Sequence, residues 1–271
     1  MLRRWIKKIL AKIGNNLVPS VAVLKARQEY TNACLKYIIS YLDAELYRQE
    51  SDFAQVGLLV QELEKHIDRQ AQVLMLDVGS RDAQVAILFK RYFPNASVYA
   101  FECNPPAIDL CRRNISKSGL KDIILIDKAV SDIPGKTDFY TVDERRMGNI
   151  GASSLYLASA FNPEGTRDAQ CRIKVDAITL KQWAEENNVK MIDLLWIDLQ
   201  GAELKALKGM GELIRRVRFI YTEVEYQEMY VGQALFPEID RYLAEHNFLI
   251  HRQSYIRNRY YGNILYVNKA I

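Results

Sequence analysis

From residue 73 onward, short apolar runs ending in an acid or a glycine alternate with amphipathic stretches. That alternation constrains the fold more than any other feature of the chain. "VLMLDVG" (73–79) closes on Asp and Gly, the pattern of a strand buried on both faces. A helix is expected over Asp82–Arg91, with Val85, Leu88 and Phe89 inward and Pro94 as its stop. "SVYAFE" (97–102) is the next strand, Pro105–Ser118 a helix ended by Gly119, and "DIILID" (122–127) a third strand. Pro134-Gly135 reads as a hairpin turn within "AVSDIPGKTDFYTVD" (129–143). "CRIKVDAITLKQWAEEN" (171–187) reads as strand into helix. "IDLLWIDLQGAELKALKGM" (192–210) is a buried strand, an acidic tip and a helix, and "VRFIYTEVE" (217–225) is a further strand. A helix over Leu235–Glu245 precedes "NFLIHRQ" and "GNILYVN", an antiparallel pair. Such an order implies right-handed crossovers and a doubly wound α/β sheet.

Ligands of such sheets bind beyond the carboxyl ends of the strands, at the topological switch point. Asp77, Gly79 and Glu102 fall at such ends. Glu102 follows Gly79 by 23 residues, near the spacing at which an acid takes ribose hydroxyls. Gly79 lets the backbone turn close beneath a ligand. Ser80 and Arg81 in the loop, with Cys103 and Asn104 beside Glu102, complete this edge of the expected site. At the third strand end, Asp127 and Lys128 border the place of a base and Ala129 packs on it; Asp127 reads equally as a surface turn acid. "DVGSRDAQ" has one glycine where dinucleotide folds have three, so no pyrophosphate cradle is expected. A ligand with ribose but no phosphates, such as S-adenosylmethionine, fits; a sheet with a tight turn and no ligand is the plainer reading. Asn104-Pro105-Pro106 looks like the amine-binding signature of nucleic-acid methyltransferases, but it follows the second strand, not the fourth. Asn104 is therefore expected as a helix N-cap in contact with cofactor, with proline in the first turn.

Charge is unevenly placed. Residues 1–28 hold seven Lys and Arg and no acid against a net charge of +4, so the remainder carries −3. A body of that sign argues against a nucleic-acid partner. Leu2, Trp5, Ile6, Ile9, Leu10, Ile13 and Leu17 recur at helical spacing among the cations. This segment (1–18) reads as an amphipathic helix on an anionic membrane surface, or as one docked on protein. Residues 21–70 read as helical, covering one edge of the domain or forming a homodimer interface. The expected organisation is thus a helical extension over 1–70 and a catalytic domain over 71–271. Four cysteines without a Cys-x-x-Cys pair, and three scattered histidines, predict no zinc site and no disulfide framework. Reduced thiols imply a cytoplasmic setting, peripheral at the inner membrane surface if the first helix binds lipid.

"LDVGS", "AFECNPPAIDLCRRNI", "AVSDIPGKTDFY", "GASSL", "VDAITLKQW", "WIDLQGAELKALKGM" and "IYTEVE" occur in that order. From about Val73 to Lys269 the chain resembles the FkbM family of S-adenosylmethionine-dependent methyltransferases. The resemblance implies a class I methyltransferase fold, a Rossmann-like seven-stranded sheet with the last strand reversed. It also implies methylation of hydroxyl oxygens, often on sugars or natural products. Two departures stand out. Arg81 and Ala83 occupy positions where the family has Asn and Gly, and Gln200 replaces an acid in Asp198-Leu199-Gln200-Gly201-Ala202-Glu203.

A hydroxyl acceptor needs its proton removed. Asp198, at the end of the fourth strand, is the expected base or metal ligand, and Glu223, near the end of the fifth, its assistant. Asp198 reads alternatively as a helix cap, and Glu203 as a first-turn acid or loop anchor. The small-residue loop "MGNIGASSLY" (147–156) is expected to order over substrate through Ser153 and Ser154. Three carboxylates near one crevice also leave open a Mg²⁺ site. The acceptor is expected to be a glycan, a lipid-linked sugar or a secondary metabolite. Two rivals remain: a non-catalytic methyltransferase-like scaffold, and an N-methyltransferase acting on RNA or protein.

Overall fold

A computed structural model describes residues 50–143, 150–160, 166–256 and 260–271. The expected amphipathic helix over 1–18 and the helical stripe over 33–46 lie outside the described residues. The chain divides into two compact units, Met1–Glu62 and Leu63–Ile271. Helix α1 (Glu50–Leu63) ends where the second unit begins, not at residue 70. The amides of His66 and Ile67 both turn back to the Leu63 carbonyl, at 2.9 and 2.8 Å, and close it.

The second unit alternates as its sequence predicts. Its elements are β1 (Leu74–Val78), α2 (Gln84–Tyr92), β2 (Ser97–Phe101), α3 (Pro105–Ser118), β3 (Ile123–Ile126), β4 (Ala129–Val130) and β5 (Gly135–Val142). They continue with β6 (Gln170–Ile178), α4 (Leu180–Glu186), β7 (Ile192–Ile197), α5 (Glu203–Lys208), β8 (Val217–Glu225), α6 (Phe236–Glu245), β9 (Phe248–Ile256) and β10 (Tyr261–Asn268). Seven strands form one sheet in the order β3-β2-β1-β7-β8-β10-β9. Strands β1, β2, β3, β7 and β8 pair in parallel, and only β10 runs against its neighbours β8 and β9. This is the doubly wound sheet with a reversed last strand. Its switch point lies between β1 and β7, because the chain winds outward to β3 before crossing back.

The central strands are apolar on both faces because helices cover both. Met75, Leu76 and Val78 of β1, with Leu194, Leu195 and Ile197 of β7, are fully buried. Trp183 of α4 meets Tyr99 and Phe101 edge-on at 4.9 and 5.4 Å between ring centroids. Such aromatic pairs contribute about 0.5–1.5 kcal/mol beyond the area they bury. Thr179 caps α4 by accepting from the Gln182 amide at 3.0 Å.

One expectation is overturned. Pro134-Gly135 does turn the chain, but β4 and β5 do not pair as a hairpin. Both pair with β6, which lies between them in a separate three-stranded sheet; Ala129 and Gly135 both stand opposite Ala177. Strand β4 is two residues long, whereas β5 offers β6 an eight-residue antiparallel ladder, and the longer pairing prevails. This small sheet stands beside the carboxyl ends of the large one and walls the cleft there with Ala129 and Phe139.

Candidate active site

Strand register builds the site. Val78 stands level with Phe101 and Ile197, Phe101 with Ile126, and Ile197 with Thr222. The residue after each therefore falls in one row: Asp127, Glu102, Gly79, Asp198, Glu223. The row crosses the switch point at Gly79 and Asp198, where the backbones come very close. A Cβ on Gly79 would lie 1.8 Å from the Asp198 carbonyl oxygen, and its φ is +90°. Glycine is required there on both counts.

Above the row lies a cleft enclosing about 550 Å³ of empty space, solvent included. Gly79, Arg81, Glu102, Cys103, Asn104, Lys128, Ala129, Ser153 and Asp198 line it. Five other expected residues do not line it: Asp77, Ser80, Asp127, Ser154 and Glu223. Asp77 is fully buried beneath the loop, accepting from Ser80 Oγ at 2.5 Å and the Ala86 amide at 3.1 Å. Ser80 is thereby turned inward. Asp127 stands at the surface, 60% exposed and paired with Arg112 at 3.2 Å. Ser154 is buried, and its hydroxyl donates to the Gln200 carbonyl at 2.7 Å.

The loop closes without its second glycine. Arg81 and Ala83 adopt left-handed φ angles of +52° and +62°. Glu102 holds the loop in place. Its Oε2 accepts from the Arg81 amide, and its Oε1 from the amides of Cys103 and Asn104, each at 2.8 Å. Burial raises the Glu102 carboxyl and these three amides oppose it. Burial also pushes Asp77 up to about 7, against the bonds from Ser80 and Ala86.

Asn104 holds the N-cap position of α3, but its side chain does not cap. Pro106 at N2 has no N–H to give, and the Asn104 side-chain oxygen is taken by Thr141 rather than by the Ala107 amide at N3. The Asn104 amide ties the small-residue loop instead. Its Nδ2 donates to Ser153 Oγ at 3.2 Å, and its Oδ1 accepts from Thr141 Oγ1 at 2.8 Å.

At the other end of the row, Gln200 joins the two expected catalytic acids. Its Nε2 donates to Asp198 Oδ1 at 2.8 Å and to Glu223 Oε2 at 2.9 Å. Its Oε1 accepts from the Tyr230 hydroxyl at 2.9 Å, which also reaches the Ala152 carbonyl at 3.1 Å. Asp198 does not cap a helix, since α5 starts at Glu203 with Ala202 at its N-cap. Glu203 is the anchor of the turn: its Oε1 accepts from the amides of Leu199 and Gly201, at 2.7 and 3.3 Å. Burial pushes Glu203 up to about 8, with Asp198 adding to the rise. Glu225, buried one turn of strand behind Glu223, is raised by its own burial and by Glu203. The Mg²⁺ reading finds no support. The space between Asp198 and Glu223 is taken by the Gln200 amide nitrogen, whose N–H groups carry the same sign of charge toward a cation. Among the described residues, neither acid joins a convergent group of three metal-ligating side chains.

The model of the methyltransferase FkbM domain matches residues 77–250, which hold the whole row. The chain belongs to the FkbM methyltransferase family. The 2-O-methyltransferase NoeI of Sinorhizobium fredii is 32% identical to this FkbM chain over 167 residues, 59% of this chain and 66% of that protein. The chain thus matches just under two thirds of that relative's length. The hexuronic acid methyltransferase AglP of Haloferax volcanii is 25% identical over 223 residues, 82% of this chain and 80% of its own. Among solved structures, magnesium protoporphyrin IX methyltransferase from Synechocystis, with S-adenosylmethionine bound, aligns with a TM-score of 0.48 and 11% identity. That alignment covers 94% of this chain and 100% of the other. Sequence reasoning had not reached the part played by Tyr230 in this FkbM site. It lies 30 residues beyond Gln200, in a segment with no motif of its own.

Proposed function

We propose that the protein transfers a methyl group from S-adenosylmethionine to a hydroxyl oxygen of a sugar, in a polysaccharide, a lipid-linked glycan or a glycosylated natural product. The observation that carries this reading is the row Glu102, Gly79, Asp198, Glu223 at the switch point. In this reading Glu102 serves the ribose and Asp198 the acceptor, and the strand register puts them on opposite sides of one glycine.

The residues present fit the methyl donor. A carboxylate has about four lone-pair sites. Backbone amides take three of those on Glu102, so one remains for a ribose hydroxyl. Ala129 and Phe139 give an adenine ring an apolar wall. When bound, S-adenosylmethionine supplies a methyl group on a positively charged sulfur, which needs no further activation. With the donor bound, Asp198 would take the proton of the acceptor hydroxyl and later give it to solvent, the electron pair of the broken methyl–sulfur bond leaving with S-adenosylhomocysteine. Glu223 shares the charge of that end of the cleft through Gln200. Positioning carries the rest, since alignment of two reactants is worth about 7–11 kcal/mol. The names of NoeI and AglP, a 2-O-methyltransferase and a hexuronic acid methyltransferase, support oxygen as the acceptor atom and a sugar as its carrier.

Calorimetric titration with S-adenosylhomocysteine tests the reading. The wild type is expected to bind, and Glu102→Ala, checked for fold by circular dichroism, to bind at least about 30-fold more weakly, the worth of one charge-assisted hydrogen bond. No binding by folded wild type would overturn the reading in favour of a non-catalytic scaffold. Methyl recovered on nitrogen rather than oxygen would overturn its choice of acceptor.

A further inference from the structure

We propose that Gln200 is a positioning residue whose amide does the work of a bound cation between Asp198 and Glu223. The inference rests on the methyl-transfer reading above and deepens it: the acceptor side of the cleft is organised without metal.

Stoichiometry is the first argument. A primary amide has two N–H donors on one nitrogen, and here it faces two carboxylate oxygens at 2.8 and 2.9 Å. The opposite orientation would set the amide oxygen against both acids. Two carboxylates repel an amide oxygen, and the Tyr230 hydroxyl stands 2.9 Å from Oε1 in the orientation seen, where it can donate to it. The second argument is backbone strain. Gln200 has a left-handed φ of +53°, and its own carbonyl is held by the Ser154 hydroxyl at 2.7 Å. A non-glycine residue keeps such a conformation where its surroundings fix it, and such sites cluster at functional centres. The third argument is geometric. Magnesium binds oxygen at about 2.0–2.1 Å in an octahedron, so adjacent ligand oxygens stand about 2.9 Å apart. The two N–H directions of one amide nitrogen diverge by about 120°, so acid oxygens at 2.8 and 2.9 Å from it stand about 5 Å apart, too wide for one magnesium ion to hold both. Loss of the amide, or a carboxylate in its place, frees the two acids to close on an ion.

The test is the response to magnesium chloride alone, read by melting temperature and by calorimetry. The wild type is expected to show neither a melting shift nor a binding heat at millimolar Mg²⁺. Gln200→Glu is expected to bind one Mg²⁺ and melt about 5 °C or more higher with it. Adding Asp198→Asn to that variant is expected to abolish both effects. Gln200→Ala, which removes the amide from between the two acids, serves if the glutamate variant does not fold, and is also expected to gain a Mg²⁺-dependent rise. Three carboxylates would bind Mg²⁺ whatever the glutamine does, so the alanine variant decides: no cation response from folded Gln200→Ala overturns the proposal. So does Mg²⁺ binding by the wild type that Asp198→Asn removes. S-adenosylhomocysteine titration of the same samples separates the two failures. Its loss in the wild type sinks the methyl-transfer reading, whereas retained binding without a cation response sinks only the role of Gln200.

Discussion

Replacing Asp77 by asparagine is expected to destabilise the protein in acid and stabilise it in alkali. Asp77 Oδ2 accepts two hydrogen bonds, from Ser80 Oγ and the Ala86 amide, while its Oδ1 is buried without a partner. Burial, the largest cause, raises the carboxyl from 3.8 to about 7. A carboxyl raised on folding binds more protons in the native state between those two values. Stability therefore falls as pH rises from about 4 to about 7, and the penalty is complete above that range. At about 1.36 kcal/mol per pH unit, it reaches about 4 kcal/mol. Asparagine can place its oxygen where Oδ2 stands and keep both bonds. Its amide nitrogen then takes the unpartnered side, at a cost of about 1–3 kcal/mol for a buried unsatisfied donor. The net expectation at pH 8.5 is a gain of about 1–3 kcal/mol for Asp77→Asn, and near pH 4 a loss of about the same size. Urea unfolding of both proteins from pH 4 to 8.5 measures the difference. Groups common to both, such as Glu203, cancel. A difference that stays constant across that range would refute the reasoning, because it would mean that Asp77 does not titrate between the folded and unfolded pKa values.

Gly79→Ala is expected to push β1 and β7 apart at the switch point, since its Cβ would fall 1.8 Å from the Asp198 carbonyl oxygen. S-adenosylhomocysteine affinity should drop at least about tenfold, a loss of about 1.4 kcal/mol, and unchanged calorimetry would contradict the close approach. Asp198→Asn keeps an oxygen for the Gln200 amide but removes the base. Cofactor affinity should stay within about threefold of wild type, while transfer of labelled methyl to acceptor falls about 10²–10⁴-fold. Full transfer by this variant would remove Asp198 from the mechanism.

The fold was legible where burial dictates composition. A parallel strand covered on both faces must be apolar throughout, so β1, β2, β7 and β8 announce themselves, and an acid at the end of each marks the edge. Strand β6 does not announce its sheet. "CRIKVDAI" alternates like any half-exposed strand, and only the three-dimensional meeting of β4 and β5 assigns it to the smaller one. The same limit governs the site. Glu102 and Asp127 both end strands and stand in one row, yet Arg112 on α3 draws Asp127 to the surface. Gln200 was visible as a departure from the family, but its bond to Glu223 joins residues 23 apart, and its tether to Tyr230 residues 30 apart. Such pairings depend on register and loop path, which local sequence does not encode.

The altered loop shows how a missing glycine is made good. A left-handed φ costs a non-glycine residue about 1–2 kcal/mol, and the loop takes that cost at Arg81 and again at Ala83. A hydrogen bond contributes about 0.5–1.5 kcal/mol, and about 1.5–3 kcal/mol where one partner is ionised. Glu102 receives the Arg81 amide from the cleft side, and Asp77 receives Ser80 and Ala86 from the core side. The turn is thus clamped between two acids, and those contacts are of the size needed to offset the strain. This explains why Asp77, an acid at a strand end, lies beneath the cleft and not in it. It also predicts that the two acids are not equivalent. In the proposed role Glu102 serves ligand and loop together, so its loss is expected to remove both cofactor and clamp, whereas Asp77→Asn keeps the clamp and removes its dependence on pH.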